Sequence, residues 1–128
     1  MKIKILIPVY NDWQSVTKLL TEINLNISST DHEISIILVN DASNHDRQKD
    51  FINYDNIHSI KILNMKINQG HARCIATGLK YIFQKEDFDY VIPMDGDGED
   101  RPEEIINFIS KIDNSDEKAI VGERVKRS

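Results

Sequence analysis

The chain has 128 residues, 40% of them apolar and 29% charged, which is typical of one soluble domain with a core of its own. Its formal net charge of -5 argues against a general nucleic-acid-binding protein, because such proteins carry a basic patch or stripe. The single cysteine, Cys74, cannot form an intramolecular disulfide, and no apolar run approaches the roughly 20 residues of a membrane helix.

Apolar runs with strand character alternate along the chain with stretches of helical period. Residues 3–9 are predicted to form a first, buried strand. Asn11 is expected to cap the helix that follows, with Gln14 completing a capping box. One apolar stripe of that helix is formed by Trp13, Val16, Leu19, Leu20, Ile23 and Ile27. Residues 34–39 are predicted to form the second strand.

The second half of the chain continues this alternation. Residues 44–55 are expected to form a short helix and a loop, and residues 60–63 a third strand. Gly70 begins a helix whose apolar face is predicted to contain Ala72, Ile75, Ala76, Leu79, Ile82 and Phe83. Residues 90–94 and 119–121 are predicted as the last two strands. The helix between them has a stripe of Ile105, Phe108, Ile109 and Ile112.

This order of elements predicts an α/β fold, a three-layer α/β/α sandwich around a mostly parallel sheet of Rossmann-like type. Residues 1–128 are expected to form a single domain. In such a sheet ligands bind beyond the carboxyl ends of the strands. Polar residues that directly follow a strand are therefore the candidates for a site, and clusters of them follow the first, second and fourth strands.

The first cluster ends the first strand and consists of Pro8, Val9, Tyr10 and Asn11. Tyr10 is placed to stack on a nucleotide base or to flank it. The alternative interpretation is a strand end followed by a helix cap, with no ligand.

The second cluster, Asn40-Asp41-Ala42-Ser43, ends the second strand. A carboxylate at Asp41 can accept hydrogen bonds from a base N–H or from ribose hydroxyls. The alternative is a turn residue that bonds its own backbone, as Asp and Ser often do. The sequence leaves both interpretations open.

The third cluster, Asp95-Gly96-Asp97 with Glu99, follows the fourth strand. Residues two apart in an extended segment point the same way, so Asp95 and Asp97 can share a face and bind one cation. Carboxylate oxygens together with substrate phosphates suit Mg²⁺ or Mn²⁺, and Gly96 leaves room for a diphosphate. The alternative is a solvated acidic turn. An EF-hand is excluded, because the sixth position of such a loop would be Asp100 rather than glycine.

A fourth segment, Asn68-Gln69-Gly70-His71-Ala72-Arg73, lies where a loop meets a helix N-terminus, which favours anions. Gly70 and Arg73 are candidates for binding phosphate, although Arg73 is equally consistent with a solvated helix residue. His71 adjoins the site but is not predicted to be a ligand. Cys74 is interpreted as a packed residue rather than a nucleophile.

These segments resemble the family 2 glycosyltransferases of the GT-A group, in particular the polyprenyl-phosphate sugar synthases. The resemblance runs in order over nearly the whole chain and includes Val121-Gly122-Glu123-Arg124. It implies that Pro8, Tyr10 and Asp41 line the base and ribose of a sugar nucleotide of UDP or GDP type. It also implies that Asp95 and Asp97 form the DXD motif that holds Mg²⁺ or Mn²⁺ on the donor diphosphate. Glu99 would lie near the metal, and Arg124 would contact the diphosphate or the sugar.

The activity that the resemblance implies is metal-assisted transfer of a sugar to an acceptor hydroxyl with inversion, the acceptor being a polyprenyl phosphate or a glycan. The expected location is the cytoplasm, or the cytoplasmic face of a membrane for a longer form. Domains of this family run beyond Ser128, so the chain is expected to be the nucleotide-sugar-binding half without the catalytic base. One alternative is a non-catalytic nucleotide-sugar-binding module. A receiver-type signalling domain is the other, and its acidic residues would follow different strands.

Overall fold

The computed structural model describes residues 1–43, 54–95, 103–114 and 125–126. Within these ranges the elements are, in chain order, β1 (Lys2–Val9), α1 (Trp13–Asn26), β2 (Glu33–Asn40), β3 (Ser59–Asn64), α2 (His71–Lys85), β4 (Tyr90–Pro93), α3 (Glu103–Asn114) and β5 (Val125–Lys126). Among the described helices, none combines the length and the apolar character that a membrane crossing requires.

The strands form one sheet in the order β3-β2-β1-β4-β5. The first four strands are parallel to one another, and β5 runs antiparallel to β4. The prediction of a mostly parallel sheet is therefore confirmed. The predicted strand at 119–121 and most of the predicted helix and loop at 44–55 lie outside the described residues.

The three predicted layers are present. Helices α1 and α3 cover one face of the sheet, where they pack on alternate residues of β1, β2 and β4. Helix α2 covers the opposite face and packs on the residues between them, such as Leu6, Ile37 and Val91. The apolar stripes predicted for the first and last helices are confirmed, since their isoleucine, leucine, valine and tryptophan side chains are buried. Strands β1 and β2 are apolar on both sides because helices cover both.

The start of α1 differs from the prediction by one residue. Asp12, not Asn11, is the N-cap, and its carboxylate accepts a hydrogen bond of 3.3 Å from the backbone N–H of Ser15. Asn11 has a φ of 54°, in the left-handed region that Asn adopts more readily than most residues. The chain therefore turns sharply at Asn11 before the helix begins.

The buried face predicted for α2 is wrong at three positions. Ala72 and Ala76 are exposed, and Phe83 is 51% exposed. The residues that contact the sheet most closely are Cys74, Gly78 and Ile82, which are spaced four apart. Small residues at the first two positions let the helix approach the sheet, and this rotates the apolar alanines away from it.

Gly78 allows this close approach, and we expect Gly78→Ala to destabilise the fold. A Cβ at this position would collide with Cδ1 of Leu6 and lie 3.1 Å from Cγ2 of Val39. Overpacking of a buried contact costs about 1–3 kcal/mol, whereas Ala in place of Gly within a helix gains about 1 kcal/mol. We therefore expect a net loss of about 1 kcal/mol in the free energy of unfolding, measured by urea denaturation. The exposed neighbour Thr77→Ala serves as the control, and a more stable Gly78→Ala variant would contradict the proposed contact.

Candidate functional site

The carboxyl ends of the parallel strands lie at one edge of the sheet. Strand β1 is flanked by β2 on one side and by β4 on the other, and the helices that lead from β1 to β2 and from β3 to β4 cover opposite faces. Such a switch in strand order opens a crevice at the carboxyl edge, where ligands bind in open α/β sheets. Asp41 directly follows β2, and Asp95 follows Met94 after β4. The prediction that these two carboxylates share an edge is confirmed.

A pocket at this edge brings together residues from four segments. Its lining consists of Pro8, Val9, Tyr10, Asp12, Val16, His71 and Asp95. Tyr10 is 49% exposed, so its ring can be reached by a ligand. Four of the predicted nucleotide-binding residues thus line one pocket. Asn11, Asp41, Gly70 and Arg73 are not among the described residues that line it.

The loops after β1 and β2 are joined through Ser43. The backbone N–H of Asn11 donates to Oγ of Ser43 at 2.9 Å, and the backbone N–H of Ser43 donates to Oδ1 of Asn40 at 3.1 Å. The side-chain amide of Asn40 in turn donates to Oδ1 of Asn64 at 3.0 Å. Asn11 therefore contributes to the site through its backbone, which fixes the turn that carries Tyr10.

Asp41 is buried, and its carboxylate binds the segment that leads into α2. Oδ1 accepts from the backbone N–H of Gln69 at 2.8 Å, and Oδ2 accepts from the backbone N–H of Gly70 at 2.9 Å. The side-chain amide of Asn68 donates to Oδ2 at 3.0 Å and to the backbone carbonyl of Asp41 at 3.2 Å. The alternative of a turn that bonds its own backbone does not describe these contacts, because all the donors lie on another loop. The contact of Asp41 with base or ribose stays a prediction.

The N-terminus of α2 begins at Gly70, as predicted. Gly70 has a φ of 92°, which glycine adopts without strain, and it provides no side-chain cap. The first turn of α2 contains no acidic residue, and Arg73 is exposed there. A helix start without its own carboxylate is suited to an anion. The phosphate contacts of Gly70 and Arg73 remain predictions.

His71, the first residue of α2, contacts Asp95. Its Nε2 lies 2.9 Å from Oδ1 of Asp95, with side-chain exposures of 59% and 40%. The sequence contained no spacing signal for this pair, since 24 positions separate the two residues. Only the topology, which places a helix start and a strand end at one edge, joins them.

The side chains of the pocket include oxygen donors of the kind that bind Mg²⁺ or Mn²⁺. Within residues 1–43, 54–95, 103–114 and 125–126, no group of three or more His, Cys, Asp or Glu residues is arranged to hold a metal. Asp95 nevertheless places a carboxylate in the pocket, and carboxylate oxygens are the donors that these ions prefer. The donor chemistry fits an ion that takes its remaining ligands from a diphosphate. The predicted residues Gly96, Asp97, Glu99 and Arg124 lie outside the described residues.

Cys74 is buried beside Asp41. Burial, together with the neighbouring Asp41 carboxylate, raises the pKa of its thiol to about 11. The sulfur is therefore a protonated thiol at neutral pH, which makes it a poor nucleophile. The interpretation of Cys74 as a packed residue is confirmed by its complete burial.

Comparison with known proteins gives consistent matches. The model of the family described as Glycosyl transferase family 2 matches residues 4–128. Undecaprenyl-phosphate 4-deoxy-4-formamido-L-arabinose transferase of Proteus mirabilis (strain HI4320) is 31% identical over 112 residues, which cover 85% of this chain and 33% of that protein.

Solved structures of S. aureus TarS share the fold. TarS 1-349 has a TM-score of 0.63 at 20% identity, covering 88% of this chain and 32% of its own. TarS 1-349 in complex with UDP has a TM-score of 0.68 at 21% identity and the same coverage, and its complex with UDP-GlcNAc has 0.64 at 19%, covering 88% and 31%. The chain therefore spans about a third of the length of the relatives it matches.

Proposed function

The chain belongs to glycosyl transferase family 2, and we propose that it forms the donor site of a sugar transferase, binding a nucleoside-diphosphate sugar at the carboxyl edge of its sheet. The observation that carries this proposal is the pocket that joins Tyr10, His71 and Asp95 at the switch in strand order. A pocket at such a point, with an aromatic ring on one side and a carboxylate on the other, suits a ligand with a base and a charged tail.

The residues of the pocket divide into a base side and a phosphate side. Pro8, Val9 and Tyr10 provide apolar and aromatic surface for a base, and the backbone of Asn11 fixes their turn. Asp41 is proposed to meet the base or the ribose. Gly70 and Arg73 are proposed to meet the phosphates at the start of α2. The complexes of TarS with UDP and UDP-GlcNAc support a uridine nucleotide, and a guanosine nucleotide is the alternative.

Asp95 is proposed to hold Mg²⁺ or Mn²⁺ together with Asp97 and the donor diphosphate, with Gly96 giving the phosphates room and Glu99 nearby. When bound, such an ion neutralises charge on the leaving nucleoside diphosphate. We propose a direct displacement with inversion at the anomeric carbon: the acceptor oxygen bonds to that carbon as its bond to the diphosphate breaks, and the nucleoside diphosphate leaves. A base outside this chain would take the proton of an acceptor hydroxyl, and Arg124 would contact the diphosphate or the sugar. The proposed acceptor is a polyprenyl phosphate, which the name of the Proteus mirabilis relative supports, or a glycan. A lipid acceptor would place the protein at the cytoplasmic face of a membrane.

The proposal is tested by replacing the aromatic ring of the pocket. Stacking of one base on an aromatic side chain contributes about 1–3 kcal/mol, so we expect Tyr10→Ala to weaken binding of UDP or GDP roughly tenfold in the presence of Mn²⁺. Isothermal titration measures this affinity. Phe83→Ala is the matched control, because Phe83 is 51% exposed and Tyr10 49%, but Phe83 does not line the pocket.

Three results, from this titration and from an assay of sugar transfer, separate the candidate functions. Binding that Tyr10→Ala weakens and Phe83→Ala leaves unchanged supports the site. Binding by the chain, with no transfer to any lipid or glycan acceptor by a longer form of the protein, favours the non-catalytic module. Failure of the unmodified chain to bind either nucleotide would reject the donor site.

A further inference from the structure

The carboxylate of Asp41 connects the end of β2 to the start of α2. We propose that Asp41 is a positioning residue, which fixes residues 68–70 and thereby seats His71 against Asp95. The inference rests on the proposed function in one respect, namely that Asp95 belongs to the donor site. It assigns Asp41 a role that does not require contact with the nucleotide.

The hydrogen bonds of Asp41 are largely committed to the protein. A carboxylate has about four acceptor positions, and three of them are taken by Gln69, Gly70 and Asn68 at 2.8 to 3.0 Å. The residue is 4% exposed. Hydrogen bonds to an ionised acceptor are stronger than those between neutral groups. The segment before α2 is therefore held before any ligand arrives.

Asp41 binds the two residues that lead into α2. Gly70 has no side chain to cap the helix, and the first turn has no acidic residue. The carboxylate that follows β2 binds the N–H groups of Gln69 and Gly70, which precede the first turn of the helix, where negative charge is favoured by the helix dipole. The helix start is thereby attached to the sheet edge rather than to its own loop.

The connection continues to Asp95 through one residue. His71 directly follows Gly70, and its Nε2 reaches Oδ1 of Asp95 at 2.9 Å. Gly70 has a φ of 92°, which few residues other than glycine tolerate. A glycine backbone can adopt many conformations, and the hydrogen bond to Asp41 restrains it to this one. Releasing Gly70 should move His71, and with it the contact that orients the Asp95 carboxylate.

The first test follows the connection by NMR in the nucleotide-free chain at one fixed pH. Asp95→Asn defines the shift of the His71 ring signals when the contact with Asp95 changes. Asp41→Asn should shift those ring signals in the same direction, and should make the amides of Gln69 and Gly70 exchange on the order of tenfold faster. Asp89→Asn is the matched control, because Asp89 also binds a backbone N–H, that of Lys2 at 2.7 Å, but is exposed and lies at the opposite end of β4.

A milder variant keeps the test decisive if Asp41→Asn does not fold. Asn68 is exposed, and Asn68→Ala removes one of the three donors that bind the Asp41 carboxylate. We expect the same changes in the His71 ring signals and in amide exchange, with smaller amplitude. Amide signals that change while the His71 ring stays at its original position would overturn the proposal, because Asp41 would then act only on its own loop. Unchanged amides would overturn it as well.

The NMR test uses the nucleotide-free chain, so its outcome does not depend on whether Asp41 also contacts the base. If the unmodified chain binds no nucleotide, the proposed function fails and the NMR result still decides the role of Asp41.

Discussion

Glu86→Gln should lower the free energy of unfolding by about 3 kcal/mol, because it leaves a buried lysine without its charged partner. Glu86 is the C-cap of α2, and its carboxylate lies 3.4 Å from Nζ of Lys4 and 2.7 Å from Nζ of Lys61. The side chains of Glu86 and Lys4 are only 8% and 7% exposed. Breaking a buried pair by removing one partner costs about 3–5 kcal/mol, and glutamine retains part of the bonding to Lys61 and Tyr81.

This effect should disappear in acid. Burial alone would raise the pKa of Glu86, but the hydrogen bond from Lys61 and the charges of Lys4 and Lys61 outweigh it and hold the pKa below its ordinary value of 4.5. A group with a depressed folded pKa contributes its stability above the unfolded value and loses it as the pH falls through the folded one. The difference between the unmodified chain and Glu86→Gln should therefore be constant from pH 7 to about 5 and shrink below pH 4.5.

The adjacent carboxylate provides the control. Asp87 pairs with Lys2 at 2.9 Å, and their side chains are 61% and 45% exposed. Exposed pairs contribute about 0–1 kcal/mol, so Asp87→Asn should change the unfolding free energy by less than about 1 kcal/mol. Urea denaturation of the three proteins at several pH values measures both effects. Equal losses for Glu86→Gln and Asp87→Asn would show that burial of the first pair has no energetic consequence.

The predictable parts of the fold are those in which the polarity of each residue matches the burial of its own position. Strands β1 and β2 are apolar on both faces, and the stripes of α1 and α3 have helical period, so their positions follow from local pattern. The buried face of α2 did not follow, because an apolar pattern cannot reveal that Gly78 packs against Leu6 while Ala76 is exposed. Small residues contribute little to periodicity but determine how closely two elements approach.

The site was predictable in its location but not in its contacts. A parallel sheet requires Asp41 and Asp95 to lie at one edge once each is seen to follow a strand, and that inference needs no knowledge of packing. The partners of Asp41 lie 27 to 29 positions away on a loop without a distinctive pattern. The contact of His71 with Asp95 likewise depends on where the first residue of α2 lies relative to the end of β4. Such contacts are set by tertiary geometry, which no local pattern of residues reveals.

Asp95→Asn should remove most of the effect of a divalent metal on nucleotide binding. Two carboxylates supply too few ligands for an octahedral ion that parts with water reluctantly, and a diphosphate supplies more oxygens. Metal and nucleotide should therefore strengthen each other's binding by the same factor, for which roughly 10- to 100-fold is the usual range. We expect the gain in UDP or GDP affinity on replacing chelator by Mn²⁺ to fall to less than about threefold in Asp95→Asn and in Asp97→Asn. The affinity without metal should change little, since the base side of the pocket is intact.

A control variant in the same pocket distinguishes direct metal binding by Asp95 from a general effect of negative charge. Asp12 is exposed and lines the pocket with Asp95, so Asp12→Asn removes the same charge from the same surroundings. We expect this variant to retain most of the metal effect, because Asp12 already caps α1 through Ser15. Titration of nucleotide in Mn²⁺ and in chelator, and of Mn²⁺ with and without nucleotide, gives the coupling from both directions. Asp95 would be excluded as a metal ligand if the unmodified chain binds nucleotide equally well in Mn²⁺ and in chelator, or if Asp95→Asn keeps the full metal effect. Equal losses of the metal effect in Asp95→Asn and Asp12→Asn would mean that Asp95 acts only as a nearby negative charge.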